Sequence, residues 1–279
     1  MNIAVIIPAA GSSRRFSESA AAELGVNDAG FSRSKLDEDL GGRPVLQRTV
    51  ELFSKIGDVT LIIVAGPADE AAFTEFKGRY GDKLGLLGVR VCRGGANHRH
   101  ETVANALRLV PDDGSITHVA VHDAARPCAS PELIQRVFAA AEQGHNAVVP
   151  GLDVPDTLKR VSAQSVQAKA DPLAAILGDA GERRTIGRLV EETVSRERLV
   201  AVQTPQVFEV GLLRRAYAQA DLSSTDDAQL VERLGEPAGV LVVPGEAGNI
   251  KITRYSDVRL ARAILNLKPP AEREAHKRF

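Results

Sequence analysis

The chain has 279 residues, a length that suits one large α/β domain or two small ones. Hydrophobic residues make up 44% of it and charged residues 25%, as in ordinary globular proteins. The formal net charge of −1 argues against a general nucleic-acid-binding protein, because no excess of Lys and Arg is available to release counterions. The two cysteines, Cys92 and Cys128, make no disulfide framework, so we expect a reduced, cytoplasmic protein.

Strand and helix patterns alternate along the first half of the chain. Short apolar runs predict strands at Ile3–Pro8, Val59–Ala65, Val89–Cys92, Thr117–His122 and Ala147–Val149. Apolar residues at helical spacing predict helices at Val45–Ile56, from Pro67 through Phe76, at Thr102–Val110 and at Pro131–Gln143. Continuously apolar strands joined by helices indicate an α/β fold with a mostly parallel sheet covered on both faces.

The second half is less regular. Thr157–Val161 is polar for a strand and is predicted to leave the main sheet, and Ser162–Glu191 has the turns and charges of a surface excursion. Further strands are predicted at Leu199–Gln203, Gly239–Val243 and Asn249–Thr253, and helices at Leu212–Ala220, Ala228–Leu234 and Asp257–Leu267. Residues Lys268–Phe279 carry two prolines and many charges, which predicts a frayed tail.

No part of the chain predicts a membrane segment. No apolar stretch reaches the roughly 20 residues that span a bilayer. The run Ile3–Ile7 has no basic region before it, which favours a strand over a signal peptide.

The turn after the first strand has the composition of a phosphate-binding turn. A proline and four small residues form it: Pro8, Ala9, Ala10, Gly11 and Ser12. Small side chains leave backbone N–H groups free to close around phosphate oxygens, and after one more small residue, Ser13, Arg14 and Arg15 place guanidinium groups beside the turn. An ordinary turn with two solvated arginines is the alternative. Gly11 stands alone and no Gly-Lys-Ser/Thr follows, so the turn is neither a dinucleotide fingerprint nor a Walker loop.

Two further motifs end predicted strands, where parallel sheets bind ligands. Asp123 and Arg126 follow one strand, and this pair can hold a sugar hydroxyl or a hydrated Mg²⁺ beside a phosphate; an ion-paired turn cap is the alternative. Gly94-Gly95 ends another strand and precedes Thr102, which suggests a second backbone-lined pocket, or simply a helix N-cap after a glycine turn. His98 and His100 are spaced for a metal, but two solvated histidines are favoured because no third ligand lies nearby.

Three weaker motifs lie in the second half. Thr204-Pro205-Gln206 follows a predicted strand, and Ser224–Asp227 is typical of a helix N-cap. Asn249, Lys251 and Thr253 alternate, which predicts that they share one side of a short strand. None of these motifs is decisive alone.

Taken together and in this order, the motifs resemble the 2-C-methyl-D-erythritol 4-phosphate cytidylyltransferase family of the non-mevalonate isoprenoid pathway. The resemblance rests on Pro8–Arg15, His122–Pro127, Asp156–Lys159, Thr204–Gln206 and Asn249–Thr253. It implies a Rossmann-like fold with a protruding β-arm and a homodimer with interlocked arms. It also implies small-molecule substrates, with CTP as co-substrate and Mg²⁺ as cofactor, and no nucleic-acid or membrane partner.

The resemblance also assigns roles to individual residues. Arg15 and Lys35 match the pair that stabilises the transition state, and Arg196 and Lys251 match the residues that position the sugar phosphate. The residues that match the CTP site are Pro8, Ala9, Ala10, Gly11, Ser12, Gly95, Thr102 and Ala124. The residues that match the site of the sugar substrate are Asp123, Arg126, Thr157, Thr204 and Thr225. Thr157 and Arg196 would come from the arm of the other subunit, and Asp123 is also the candidate ligand of Mg²⁺.

The domain organisation follows from the same comparison. We expect a single nucleotidyltransferase domain over residues 1–267, a β-arm at about 153–198 and a tail at 268–279. Relative to the family, the chain carries extra stretches at about 17–33 and about 162–192.

Two other functions stay open at this stage. A ribitol-5-phosphate cytidylyltransferase shares the phosphate-binding turn and the Asp-x-x-Arg motif, although Ala125 and the Asp156-Thr157 segment argue against it. A nucleotide-binding module without turnover is the alternative from a different class. Assays of turnover distinguish the three.

Overall fold

The computed structural model describes residues 1–26, 31–167, 186–235 and 239–268. The chain divides into two compact units. The single domain predicted over residues 1–267 stays a prediction. The larger unit combines Met1–Leu152 with Val202–Phe279, and the smaller unit is Asp153–Ala201. Within the described part of the chain, no helix is both long and apolar enough to cross a membrane.

The helices and strands follow the alternating order predicted for the first half. The strands are β1 (Ile3–Pro8), β2 (Val59–Gly66), β3 (Arg90–Arg93), β4 (His118–Val121), β5 (Ala147–Asp153), β6 (Leu158–Val161), β7 (Val166–Gln167), β8 (Ile186–Gly187), β9 (Val190–Val194), β10 (Val200–Val202), β11 (Gln206–Glu209) and β12 (Leu241–Pro244). The α-helices are α1 (Arg14–Leu24), α2 (Val45–Glu51), α3 (Glu70–Leu86), α4 (Arg99–Leu107), α5 (Pro131–Glu142), α6 (Val210–Tyr217), α7 (Asp227–Glu232) and α8 (Ser256–Ile264). A short 3₁₀ helix spans Lys35–Asp37.

The sheet of the larger unit is mostly parallel, as predicted. Its strands run in the order β5-β11-β4-β1-β2-β3, and β12 pairs with β5 in parallel. β1 pairs in parallel with both β2 and β4, whereas β11 is antiparallel to its neighbours β4 and β5. The predicted α/β class with helices on both faces is confirmed.

Alternation along β1 builds two apolar cores, one on each face of the sheet. Ile3, Val5 and Ile7 belong to one core, whereas Ala4 and Ile6 belong to the other, and all five are fully buried. Successive strand side chains point to opposite faces, so a strand buried on both sides must be apolar throughout. This burial fixes the position of the turn that follows β1.

One α-helix and one strand of the larger unit are absent from the sequence prediction. The helix α1 occupies residues 17–24 of the stretch that was predicted only as an insertion at 17–33, of which residues 27–30 lie outside the described part. The strand β11 has only four residues, two of them polar, which is too short for a periodic signal. Its Val207 and Phe208 are fully buried, so tertiary packing defines this strand.

One predicted strand is wrong. Asn249–Thr253 forms no strand, and its residues do not share one side. Asn249 is fully buried with its amide donating to Thr204 O at 2.9 Å, whereas Lys251 is exposed. Hydrogen bonds of the buried Asn249 and a backbone hydrogen bond from Ile252 N to Ala125 O at 2.8 Å hold this segment, which forms no β-ladder.

Several predicted element ends are shifted by a few residues. The helix predicted from Pro67 begins at Glu70, because Asp69 caps it by accepting from Ala72 N at 2.9 Å. The helix predicted at Val45–Ile56 ends at Glu51, and the helix predicted at Thr102–Val110 is Arg99–Leu107.

The smaller unit contains the polar strand that was predicted to leave the main sheet. β6 pairs antiparallel with β9, and β7 pairs antiparallel with β8. This ribbon lies in the region predicted as the β-arm. Residues 168–185 of the predicted insertion at 162–192 and residues 269–279 of the predicted tail lie outside the described residues.

Candidate functional site

A cavity of about 370 Å³ lies where several strands of the larger unit end. The turn after β1, the loop after β3 and the loop after β4 each contribute to its wall. The residues that line it are Pro8, Ala9, Ala10, Gly11, Ser12, Lys35, Leu36, Gly95, Ala96, Asn97, His98, Arg99, Thr102, Asp123, Ala124, Ala125 and Lys251. The three predicted loops therefore form one composite site.

The turn after β1 leads directly into a helix. Ala9 N donates to Ala65 O at 2.7 Å, which continues the pairing with β2 beyond the strand. Ser13 takes a left-handed conformation with a φ of 55°, and α1 begins at the next residue. The first turn of a helix carries amide groups without intrahelical partners, and these attract anions. Arg15 is exposed on this first turn.

The Gly94-Gly95 turn is glycine for steric reasons. Gly94 N donates to Gly66 O at 2.8 Å, and a Cβ on Gly94 would lie 2.6 Å from that oxygen and 2.8 Å from Ala10 Cβ. Gly95 N donates to Thr102 Oγ1 at 3.0 Å. The buried Thr102 hydroxyl therefore ties the loop after β3 to α4.

We expect Gly94→Ala to lower the free energy of unfolding by about 1–3 kcal/mol, because the added methyl group must displace backbone atoms. It should also weaken nucleotide binding, since the displaced atoms belong to the cavity wall. Urea denaturation and calorimetric titration with CTP measure both effects. The matched control is Gly81→Ala in α3, where a Cβ meets no atom within 4 Å. A Gly94→Ala protein as stable as the control would contradict this account.

Asp123 is a buried carboxylate surrounded by three cations. Its Oδ2 lies 2.9 Å from Lys251 Nζ and 3.3 Å from Arg126 Nε, and its Oδ1 lies 3.6 Å from Arg99 Nε. Burial opposes ionisation of this carboxyl, but Lys251, Arg99 and Arg126 together hold its pKa well below the usual range. Asp123 is therefore anionic at neutral pH.

Buried polar groups behind the cavity hold Asp123 in place. The Thr204 hydroxyl accepts from Asp123 N at 3.0 Å and lies 3.2 Å from His122 Nδ1, and His122 Nε2 lies 3.0 Å from Arg126 O. Burial lowers the pKa of His122 to about 4, so this histidine is neutral. Arg126 Nη1 donates to Asn249 O at 2.7 Å. The segment after β4 is thus joined to Thr204 and Asn249.

Lys35 lines the cavity from the 3₁₀ helix. Burial first, then the positive charges of Lys251 and Arg15, lower the pKa of Lys35 to about 8 against the opposing effect of Asp123. Its backbone N–H is 3.4 Å from Ser13 Oγ, beside the turn after β1. The structure therefore brings Lys35 into the site despite the predicted insertion at 17–33 that precedes it.

Arg99 is a cavity residue that the sequence reasoning did not identify. Its Nη1 donates to Asp227 Oδ2 at 2.7 Å, and Asp227 is fully buried and also accepts from the Tyr217 hydroxyl. Arg99 thus connects Asp123 with the start of α7. The available signal was an arginine in the first turn of the helix after Gly94-Gly95.

The structure brings eleven of the predicted site residues together in the cavity wall. Six others do not line it. Arg15 and Thr225 are exposed in the larger unit, and Arg126 and Thr204 support Asp123 from behind. Thr157 and Arg196 belong to the smaller unit, where Arg196 Nη1 donates to the carbonyl of Pro155. The roles assigned to all these residues stay predictions.

The donor chemistry of the cavity fits a magnesium ion shared with substrate. Among the described residues, no cluster of three or more His, Cys, Asp or Glu could enclose a metal. Mg²⁺ bound with phosphates needs only one or two carboxylates from the protein. Asp123 is ionised and lines the cavity. Its Oδ2 pairs with Lys251 and Arg126 at 2.9 and 3.3 Å, whereas the ion pair of its Oδ1 with Arg99 is longer, at 3.6 Å.

Comparisons with known proteins agree on one family. A model of the 2-C-methyl-D-erythritol 4-phosphate cytidylyltransferase family matches residues 3–172 and 166–267. A cytidylyltransferase of that description from Frankia casuarinae is 40% identical, over 97% of this chain and 84% of its own length. Another from Saccharopolyspora erythraea is 37% identical, over 95% of this chain and 100% of its own.

Solved structures give the same result. The enzyme of that name from Thermus thermophilus is 32% identical with a TM-score of 0.62, over 96% of this chain and 100% of that one. The Francisella tularensis enzyme is 26% identical with a TM-score of 0.67, over 95% and 100% of the two chains. The resemblance predicted from the motifs is confirmed.

Proposed function

We propose that this chain, which belongs to the 2-C-methyl-D-erythritol 4-phosphate cytidylyltransferase family, transfers the cytidylyl group of CTP to 2-C-methyl-D-erythritol 4-phosphate. The products are 4-diphosphocytidyl-2-C-methyl-D-erythritol and pyrophosphate. The observation that supports this most is the single cavity that joins the turn after β1, the Gly94-Gly95 loop, Asp123 and the cations Lys35 and Lys251.

The chemistry needs no covalent enzyme nucleophile. The 4-phosphate of the sugar is already anionic at neutral pH, so its oxygen attacks the α-phosphorus of CTP in line and pyrophosphate leaves. Catalysis then consists of positioning and of neutralising charge. The cavity supplies both. Its wall combines the turn of small residues after β1 with cationic side chains that offset the repulsion between two polyanions.

The roles proposed for residues of the larger unit are those that the resemblance assigns. Residues 8–12 hold the triphosphate, and Gly95, Thr102 and Ala124 hold the cytidine and ribose. Lys35, with Arg15 from the adjacent helix turn, stabilises the charge that develops in the transition state. Lys251 positions the sugar phosphate, and Asp123 fixes Lys251 through the 2.9 Å ion pair.

Asp123 would hold Mg²⁺ together with substrate phosphates. When bound, the ion neutralises charge on the triphosphate. The side chains of Lys35, Lys251 and Arg99 do the remaining work of binding and alignment.

Turnover with defined substrates tests the function. The purified chain is incubated with CTP, Mg²⁺ and either 2-C-methyl-D-erythritol 4-phosphate or ribitol 5-phosphate, and pyrophosphate release is followed. We expect release only with the methylerythritol phosphate. Release only with ribitol 5-phosphate would favour the second enzyme, and CTP binding without release would favour a non-catalytic module.

Lys251→Ala should raise the KM for the sugar phosphate and lower kcat, because the attacking phosphate loses its alignment. The affinity for CTP should stay within a few-fold of the unsubstituted protein. Steady-state kinetics and calorimetric titration with CTP measure these quantities. Lys55→Ala is the matched control, since Lys55 is an exposed lysine that does not line the cavity. A variant whose main loss is in CTP binding would contradict the assignment.

We further propose a homodimer in which the smaller unit of each chain completes the substrate site of its partner through Thr157 and Arg196. A two-stranded ribbon such as β6–β9 is marginal alone. Leu189 and Val190 in this unit are 65% and 58% exposed, which supports contact with another chain.

Subunit mixing tests this shared site. Arg15→Ala protein and Thr157→Ala/Arg196→Ala protein should each be inactive. Mixed in equal amounts and allowed to exchange, they should recover about a quarter of full activity, since half the dimers are mixed and each contains one intact site. Exchange without recovery, or a fully active monomer at low concentration, would contradict the proposal.

We also propose that the enzyme works in the reducing cytoplasm. Cys92 and Cys128 are both free. Burial raises the pKa of each thiol to about 11, so both are protonated and unreactive at neutral pH. Unpaired, inert thiols suit a compartment in which disulfides are not formed.

A further inference from the structure

Two lysines share the cavity although their charges repel each other. Lys35 and Lys251 both line it, and the charge of Lys251 is the second largest cause, after burial, of the lowered pKa of Lys35. They come from segments more than 200 residues apart in the sequence. Because these like charges repel, other contacts must hold the two lysine-bearing segments together. The proposed reaction does not identify those contacts.

Arg33 links the two lysine-bearing segments. It lies two residues before Lys35, and its guanidinium group forms a forked pair with buried Glu38, with Nη2 donating to Oε2 at 3.0 Å and Nε donating to Oε1. The same guanidinium carbon lies 4.9 Å from the ring centroid of Tyr255, four residues after Lys251. Forked ion pairs and stacking on an aromatic ring are both geometries that arginine favours.

The helix α1 holds both sides of this link. The Ser17 hydroxyl donates to Arg33 O and accepts from Arg33 N, both at 2.9 Å. The Ser19 hydroxyl accepts from Tyr255 N at 2.9 Å, and Phe16 contacts the Tyr255 ring edge-to-face at 5.8 Å. The two ends of the extra stretch at 17–33 are thereby joined.

We propose that these residues form a clamp, composed of Ser17, Ser19, Arg33, Glu38 and Tyr255, that positions Lys35 relative to Lys251 for cytidylyl transfer. The inference rests on the proposed function. Arg33 and Tyr255 are positioning residues in it, since they act through the lysines. The extra stretch of this chain then has a catalytic purpose, because α1 supplies two of the five clamp residues.

A double-mutant cycle tests the clamp. Arg33→Ala and Tyr255→Leu each remove the stacking. If Arg33→Ala impairs folding, Tyr255→Leu still tests the clamp, because it leaves the Arg33–Glu38 ion pair intact. Each should lower kcat by about 10- to 100-fold, since small displacements of catalytic groups cost this much. In a Lys35→Ala background the same substitutions should change kcat by less than about threefold, because the group they position is gone.

Arg259→Ala is the matched control. Arg259 Nη2 lies 2.7 Å from Glu23 Oε1, and this ion pair joins α1 to α8 through two residues that are not part of the clamp. This variant should keep the kcat of the unsubstituted protein, with circular dichroism confirming that every variant is folded.

Two results would overturn the inference. Clamp substitutions that leave kcat unchanged show that Lys35 is placed without the clamp. Substitutions that lower kcat equally with and without Lys35 show a general structural role. Failure of the unsubstituted chain and of Arg259→Ala to turn over CTP with the sugar phosphate contradicts the proposed function itself, and the clamp inference falls with it.

Discussion

Replacing Lys35 with alanine is expected to lower kcat by about 100- to 1,000-fold, as for the loss of one preorganised charge-stabilising group. The side chain lines the cavity beside Asp123 and Lys251. In the proposed mechanism, a cation at this position offsets the negative charge of two phosphate groups. Because burial and the neighbouring charges of Lys251 and Arg15 both oppose the charged form of Lys35, its removal should change the melting temperature little. Steady-state kinetics and thermal unfolding measure the two effects.

The pH dependence of activity distinguishes the effect of the Lys35 charge from the effect of the shape of its side chain. Its pKa is lowered to about 8, so the free enzyme loses this charge as the pH rises through about 8. The kcat/KM for CTP, which reports the free enzyme, should therefore fall above that pH. In Lys35→Arg, a guanidinium that stays protonated should remove this fall. Turnover by Lys35→Ala at the unsubstituted rate would show that another cation fills this role.

Asp123→Asn is expected to lower kcat by about 100-fold or more and the free energy of unfolding by about 1–3 kcal/mol. The change keeps the shape of the side chain but leaves Lys251, Arg99 and Arg126 without their shared anion. In the proposed mechanism, the variant loses both the fixed position of Lys251 and a carboxylate for Mg²⁺, which is the reason for the expected kinetic effect. The loss of stability stays moderate because Arg99 keeps Asp227 and Arg126 keeps the carbonyl of Asn249.

The pH dependence of this stability difference has a definite sign. The pKa of Asp123 is depressed in the folded protein, so its stabilisation is present at neutral pH and is lost as the pH falls through that low value. Urea unfolding of both proteins at several pH values measures the difference, which should shrink in acid. Asp112→Asn is the control, since Asp112 forms an exposed surface pair with Arg214. Unchanged activity in Asp123→Asn would show that Asp123 only caps a turn.

The sequence predicted the parallel part of the fold because the strands concerned are buried on both faces. Runs such as Ile3–Ile7 are apolar at every position and end in glycine or proline, so their type and ends are visible without a structure. The loops at the ends of these strands then had to meet at one edge of the sheet. Gly11, Gly95 and Asp123 could be assigned to one site on that argument alone.

Other parts depend on tertiary contacts that no local pattern records. The strand β11 is a strand because Val207 and Phe208 fit between two neighbours, and Asn249 is held by Gln203 and Thr204 rather than by a ladder. Arg99 looked like one more charged residue at a helix start. Its importance follows from Asp123 on one side and buried Asp227 on the other, 128 residues further along the chain.

The position of β11 in the sheet determines when the sheet can be completed during synthesis. Synthesis from the N-terminus delivers β1 to β5 first, but β11 lies between β4 and β5 and emerges only after the whole smaller unit. Until then the facing edges of β4 and β5 lack their partner, and unpaired edges favour association between nascent chains. The sheet can close only when residues 206–209 have left the ribosome, so the central layer of this enzyme is completed only after the smaller unit has been synthesised.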